Sequence, residues 1–451
     1  MAVALDAAAV FQALYAESPT AFWLDGGMHA TSGMSYLGES TSVVEARSWR
    51  EVRAAIDLPG PTKGRDTGAE PCFRLGWVGW LAYELGTLDD ERAEGRAESE
   101  HPLAVFLRVD RAVEIDHASG VITLLASEGP DAAGWLEGTA RRLEALEAAV
   151  PTALVLDADP APSLVATPRH TPEAYAALVD ACRALIVRGE AYQLCLTNQF
   201  EVATHPDPLE TYLALRALSP THHGGFLRVG DTALLSASPE RFLAVGADGT
   251  VSTRPIKGTR PRGRSPLEDG LLAAELLHSE KERAENLMIV DLMRNDLARV
   301  CELGTVRVER LFAVETYPQV HQLVSTVEGR LREGLTALDA VAACFPAGSM
   351  TGAPKRSAMQ HLAALEGGPR GIYAGAFGYL SLDGAMDLAM VIRSIVLTPS
   401  GATVGAGGGI TALSETNDEV VETLVKAAPL LAVLGAHPPG QSPDRREHAK
   451  V

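Results

Sequence analysis

The chain has 451 residues, a formal charge of −19 at neutral pH and an isoelectric point near 5.1. An apolar fraction of 46% with 22% charged residues is that of a folded enzyme and excludes a largely disordered chain. The acidic balance excludes a broad nucleic-acid or anionic-membrane surface, because phosphate binding runs on Lys and Arg.

The length predicts two or three domain-sized units or one large two-lobed fold. In residues 1–150 the interleaved aromatic and small residues of 73–84 predict strand, as do 105–115 and 120–126, and 134–149 predicts a helix. Prolines 151, 160, 162 and 168 mark 151–171 as a linker between lobes. Beyond it, Tyr175, Leu178, Val179, Cys182, Leu185 and Ile186 predict a helix over 172–188 that stops at Gly189. Strands are expected at 192–200, 225–229 and 233–236, then a long helical stretch over 267–300, broken or bent near Asp291. Further strands are expected at 305–311, 373–382, 386–397 and 401–405, and a helix over 417–433. The polar tail, 435–451, predicts disorder. Strands mostly neighbour strands, so the fold class is α+β with antiparallel sheets packed with helices.

The five cysteines are widely spaced and form no Cys-x-x-Cys pair, which fits reduced thiols in a cytoplasmic protein. No apolar stretch is long enough to span a membrane, and Asp6 with no preceding basic residue argues against a signal peptide.

Two glutamate pairs have a three-residue offset: Glu282/Glu285 in Lys281-Glu-Arg-Ala-Glu-Asn286, and Glu419/Glu422 in Asn417-Asp-Glu-Val-Val-Glu-Thr423. Each pair shares one helix face. Together they make a hard, oxygen-rich site suited to Mg²⁺; apart they are solvated helix faces. Gly405-Ala-Gly-Gly-Gly409, ahead of the second pair, predicts a flexible turn whose N–H groups can aim at a carboxylate. In Arg254-Pro-Ile-Lys-Gly-Thr-Arg-Pro-Arg262, Lys257 is either a salt-bridged edge residue or a desolvated amine of lowered pKa, usable as a nucleophile. Glu240, in Ser238-Pro-Glu-Arg-Phe242, is either a general acid or the ion-pair partner of Arg241. Gly348-Ser-Met-Thr-Gly-Ala-Pro-Lys355 fails the phosphate-loop spacing, which excludes an ATP site there. Arg393, after a β-branched run, is either a buried ion-pair partner or a carboxylate clamp.

Segments 254–262, 281–299, 345–355, 375–382, 386–393 and 406–423 together resemble, in the same order, the motifs of chorismate-utilising enzymes. Residues 172–434 resemble their chorismate-binding domain, and 1–150 the N-terminal region of their ammonia-using members. Members that add water carry Lys where this chain has Gln193, so the resemblance implies ammonia. Anthranilate-forming members read Pro-Ile-Ala-Gly-Thr; Pro255-Ile-Lys-Gly-Thr259 is similar instead to members that aminate chorismate and keep its enolpyruvyl group. The resemblance implies that Glu285 and Glu422 hold Mg²⁺, with Glu282 and Glu419 near its waters, and that the metal takes the ring carboxylate. It implies Arg393, Tyr379 and the N–H groups of Gly407 and Gly409 on the enolpyruvyl carboxylate, with Thr259 and Thr351 also binding substrate. It implies, too, that Glu240 protonates the departing C4 hydroxyl, that Lys257 attacks C2, and that ammonia at C4 expels Lys257.

Two positions depart from the pattern. Gln322 stands where the family has His, with His321 one residue earlier, so neither is expected to be catalytic. Ser219-Pro-Thr-His-His223 replaces Asn-Pro-x-Pro-Tyr, so a tryptophan pocket is not implied. No cysteine has the Gly-x-Cys-x-Gly setting of a glutaminase, so the expected partner is a separate glutamine amidotransferase subunit, with free ammonia as the other source.

Overall fold

Many strands of this chain set two large apolar residues side by side: Phe22 with Trp23, Phe226 with Leu227, Leu234 with Leu235, Val396 with Leu397. Strand side chains alternate between faces, so such runs need cover on both. The computed structural model, which describes residues 5–28, 30–61, 70–87, 102–148, 164–317 and 319–439, supplies it with a helix–sheet–sheet–helix sandwich.

The first sheet runs, edge to edge, through Gly352–Ala353, Gln193–Val202, Gly401–Ile410, Ser394–Thr398, Thr232–Ser238, His223–Val229, Thr20–Asp25, Met34–Glu39, Arg111–Asp116 and Ile122–Ala126. The second runs through Ile256–Pro261, Val320–Arg330, Thr250–Thr253, Arg241–Val245, Met386–Met390, Ala376–Ser381, Gly76–Leu81, Ala104–Val109 and Val43–Ala46, with Arg307–Thr316 also on Val320–Arg330. Pairing within both is antiparallel. Phe22, Leu227, Leu234 and Val396 of the first sheet meet Val78, Phe377, Tyr379 and Val391 of the second in the inner layer. The opposite residues, Trp23, Phe226, Leu235 and Leu397, lie under Phe11, Tyr212, Leu215 and Leu430 of outer helices. On the far side, Leu243, Val251, Val327 and Leu388 lie under Ile289, Met293, Leu297 and Val341.

Strands from residues 20–126 complete both sheets, so the division at 151–171 is not a division between sheets. Residues 151–163 of that segment lie outside the described ones; Leu164–Val165 pairs with Ala436–His437, and Thr167–Pro168 with Glu201 and Phe200. Of the tail, 440–451 lie outside the described residues. Among the described residues no helix is long and apolar enough to cross a membrane.

The long helical stretch breaks earlier than expected. Pro266–His278 and Glu280–Ala298 meet at Ser279, and Asp291 lies inside the second helix. Ser279 ends the first helix with its N–H on Leu276 O at 3.4 Å and caps the second by accepting from Glu282 N–H at 3.5 Å. Serine competes well for exposed helix-end groups, which decides the position. The glycine run also differs from expectation. It is not a turn but part of the strand Gly401–Ile410, held in register by Gln193–Val202.

Candidate active site

Lys257 stands on Ile256–Pro261, whose register on Val320–Arg330 slips between Ile256 and Thr259. Inside the slip Gly258 takes φ +85°, and a Cβ there would lie 2.9 Å from the Glu282 carboxylate. The bulge thus requires glycine, and it lets the helix Glu280–Ala298 press close beside Lys257. Lys257 is half-buried, and its charge favours the carboxylate forms of Glu240, Glu285 and Glu422. The charge therefore lies within electrostatic reach of glutamates on three elements of the fold.

Glu240 is buried between the strands Thr232–Ser238 and Arg241–Val245. Burial pushes its carboxyl up to about 7, opposed by Lys257, by the Ser349 hydroxyl, by the Ile256 N–H and by Arg393. Ser349 Oγ donates to Glu240 Oε1 at 3.1 Å. Arg241 does not pair with Glu240; it grips Asp387 with two bonds of 3.0 and 2.8 Å. Of the two roles open to Glu240, the ion pair with Arg241 is not the one the structure forms.

The two Glu pairs stand on the helices Glu280–Ala298 and Thr416–Val433, near enough for Glu422 to act electrostatically on Glu285. Burial raises Glu285, and the charges of Glu282 and Glu422 add to it against Lys257 and Lys281. Burial likewise raises Glu419, with Glu422 adding. For Glu422 burial is outweighed by Lys426, Lys281 and Lys257, so its carboxyl is held below the ordinary range. Lys426 Nζ lies 2.6 Å from Glu422, and Arg260 lies 3.3 Å from Glu282. Among the described residues no three acidic, imidazole or thiol groups converge as a ready metal cage. The residues nevertheless fit Mg²⁺ in kind. All four donors are carboxylates, and Gly408 keeps their vicinity clear, since a Cβ there would lie 2.9 Å from Glu419 Oε2 and 3.6 Å from Glu422 Oε1.

Ser394–Thr398 pairs with Gly401–Ile410 only as far as Val404, which leaves 405–410 as a free edge. Opposite Gly409 and Gly407, the N–H groups of Cys195 and Thr197 turn away, to Thr351 O and Glu366 Oε1. Both are therefore non-hydrogen-bonded pairs, and the N–H groups of Gly407 and Gly409 point off the edge. Lys426 Nζ, which donates to Gly407 O at 2.8 Å, marks the same side. Beside this edge Gln193 is buried, and its Oε1 has no hydrogen-bond partner among the described residues.

Arg393 has φ +49°, an uncommon backbone state for a residue with a side chain. Its surface is open to water, yet the protein around it lowers its pKa while Glu240 opposes the shift. Both hold for a guanidinium lining an open cleft. Thr259 lies one bulge from Lys257, opposite Gln322. Thr351 is buried, with its hydroxyl 3.2 Å from both Ala347 O and Gly348 O, so it shapes the loop that carries Ser349.

Tyr379 is not brought to the site. It sits in the inner layer with ring centroids 5.2 Å from Phe73 and 5.8 Å from Tyr36. Strand alternation sends it to the face opposite Leu380 and Ala376. Tyr373 stands instead against the glycine edge, its ring filling the space a side chain at 405 would take. His321 is likewise turned away, bonded to Asp269 and Thr316 at 2.9 Å each. Ser349 carried no sequence signal beyond the loop set aside as a failed phosphate site. In that loop Lys355 pins itself to Asp296 at 2.5 Å and Cys344 O at 2.7 Å, a structural role.

Residues 11–432 match the family profile of chorismate binding enzymes. The chain belongs to that family. The aminodeoxychorismate synthases of Streptomyces pristinaespiralis and Streptomyces griseus are 43% and 48% identical to it, over 98% and 82% of this chain. This chorismate binding enzyme spans 65% and 51% of those relatives' lengths. Among solved structures, anthranilate synthase component I from Streptococcus pneumoniae TIGR4 superposes with a TM-score of 0.75 at 30% identity, covering 89% of this chain and 93% of that one.

Proposed function

We propose that this chain acts as aminodeoxychorismate synthase component I, converting chorismate and ammonia to 4-amino-4-deoxychorismate for 4-aminobenzoate and folate synthesis in the cytoplasm. The observation that supports it most is the position of Lys257, whose charge acts on Glu240, Glu285 and Glu422 alike.

On this reading Arg393 and the free N–H groups of Gly407 and Gly409 hold the enolpyruvyl carboxylate, with Tyr373 against the same edge. Glu285 and Glu422, with Glu282 and Glu419, would hold Mg²⁺, whose charge would draw electrons from the ring through its carboxylate. The neutral Lys257 amine attacks C2. The two ring double bonds shift, the C4–O bond breaks, and the hydroxyl leaves as water with the Glu240 proton. A Lys257 amine beside a Glu240 acid carries the same protons as the ion pair, so the reactive form needs only an internal transfer. Ammonia then attacks C4, the double bonds return, and Lys257 leaves C2. The orphaned Gln193 Oε1 is an acceptor suited to orienting an N–H of ammonia. None of the five cysteines in these residues is set as a glutaminase nucleophile, so on this reading the ammonia comes from outside them, from a glutamine amidotransferase or as free NH₃.

The second reading, anthranilate synthase component I, has the structural likeness in its favour. Incubation with chorismate, Mg²⁺ and ammonium, followed by product mass and a pyruvate assay, separates them. The proposal expects 4-amino-4-deoxychorismate without pyruvate; pyruvate released in step with chorismate consumption overturns it.

A further inference from the structure

Glu366 ends the helix Lys355–Glu366, and Gly367, at φ +67°, turns the chain away from it. A carboxylate in the last turn opposes the helix dipole, so helix stability does not account for an acid there. Its partner is Arg370, four residues on and also buried, which grips it with bonds of 2.8 and 2.7 Å. A buried ion pair recovers in attraction roughly what it costs in lost hydration, so folding stability does not account for the pair either. What sets it apart is where its other bonds go.

Arg370 Nη1 donates to Met350 O at 2.6 Å, and Nη2 donates to Cys195 O at 2.9 Å. Glu366 Oε1 accepts from the N–H and the hydroxyl of Thr197, both at 2.9 Å. The strand Gln193–Val202 pairs with Gly352–Ala353 only at Gln193 and Leu194, and with Thr167–Pro168 only at Phe200 and Glu201. Between these the ion pair stands in for a neighbouring strand and satisfies the backbone of Cys195 and Thr197, which lie opposite Gly409 and Gly407. The bond to Met350 ties the loop 348–351 to the same edge, and Cys195 N–H ties it again at Thr351 O, 2.8 Å away. Ser349, whose hydroxyl donates to Glu240 Oε1 at 3.1 Å, immediately precedes Met350. Arg370 is itself held from behind. Its N–H and that of Gly371 donate to Glu84 at 2.7 and 3.1 Å, and the centroid of the Tyr83 ring lies 4.2 Å from the guanidinium carbon.

Met350 and Cys195 take no part in the chemistry of the function proposed above, on which this inference rests. Ser349 does, through Glu240. A planar guanidinium meets Glu366, Met350 O and Cys195 O at once because its donors point in fixed directions, which those of an ammonium do not. We propose that Arg370 is a positioning residue for the amination, locking the loop 348–351 to the strand Gln193–Val202 so that the Ser349 hydroxyl is held against Glu240.

The test is a double-mutant cycle on the full chain: wild type, Arg370→Lys, Ser349→Ala and the two together, each assayed for ammonium-dependent turnover of chorismate. Lysine keeps a charge for Glu366 and loses the fork. The expected result is kcat at least ~10-fold lower for each single variant, the size of one lost hydrogen bond to an ionisable group, with KM for chorismate within about threefold of wild type. In the Ser349→Ala background, Arg370→Lys should cost less than about threefold in kcat, because the hydroxyl it positions is gone. A merely structural arginine lowers kcat by the same factor in both backgrounds, and that result overturns the proposal. So does wild-type kcat for either single variant. Urea unfolding shows whether Arg370→Lys is folded under the assay conditions. If it is not, Glu366→Gln, which keeps an acceptor for Thr197 and weakens the fork, takes its place in the cycle with the same outcomes. If the wild type forms no amino product from chorismate and ammonium, it is the proposed function that fails, and the two failures are told apart.

Discussion

Replacing Glu240 by Gln tests the proton donor through stability as well as rate. The carboxyl is buried and its pKa is raised from 4.5 to about 7, so the folded state holds its proton more tightly than the unfolded state does. The stability this contributes is present in full below 4.5 and is lost as pH rises through 7. Between about pH 5 and pH 8 the wild type should lose ~2.5 kcal/mol from this one group, from the raised pKa of about 7. Gln has no proton to lose, so the Glu240→Gln variant lacks that slope. Urea unfolding of both proteins across this range isolates the group, because every other titration cancels in the difference. The variant should gain on the wild type as pH rises, while chorismate amination falls by ~10²-fold or more for loss of a general acid. Parallel stability curves would refute a carboxyl held protonated by burial, and with it the donor role.

Lys257→Ala should abolish ammonium-dependent amination while leaving the far-ultraviolet circular dichroism unchanged; undiminished turnover refutes the nucleophile. Gly408→Ala places a methyl 2.9 Å from Glu419 Oε2 and should weaken activation by Mg²⁺ by at least ~10-fold, as for a disturbed ligand surround. A magnesium titration identical to wild type counts against the four-glutamate site. Asp25→Ala removes the buried partner of Arg216, now at 2.6 Å, and a hydrogen bond from Tyr212 at 3.1 Å, leaving only the exposed Asp6 at 3.7 Å. It should cost about 3–5 kcal/mol in denaturant unfolding, the usual penalty for stranding a buried charge; a loss under about 1 kcal/mol, the size of an exposed pair, means that Arg216 finds water.

Much of the site was legible because its signals are local. Glu282/Glu285 and Glu419/Glu422 declare shared faces through helical spacing alone, and both pairs do lie within helices, with Glu422 acting electrostatically on Glu285. Lys257 and Glu240 stand out because a charged residue beside Gly258 or Pro239 sits where the backbone bends. What was not legible depends on partners far away in the chain. Tyr379 looks a good ligand in one dimension, and only the register of Ala376–Ser381 between two neighbours sends its phenol into the inner layer. The glycine run looked like a turn because strand pairing at close approach and flexible backbone use the same residue. The division near 151–171 missed the sharing of sheets because a composition shift carries no information on which strands pair.

That sharing shapes how the molecule is made. Thr20–Asp25 waits for His223–Val229, and Gly76–Leu81 waits for Ala376–Ser381, about 300 residues downstream. During synthesis the early strands therefore emerge with open edges and no place in a finished sheet. Such long-range closures slow folding and leave edges free to pair wrongly in the meantime. The nascent chain is thus at its most vulnerable before the strand that reads Ala376-Phe-Gly-Tyr-Leu-Ser381 has left the ribosome.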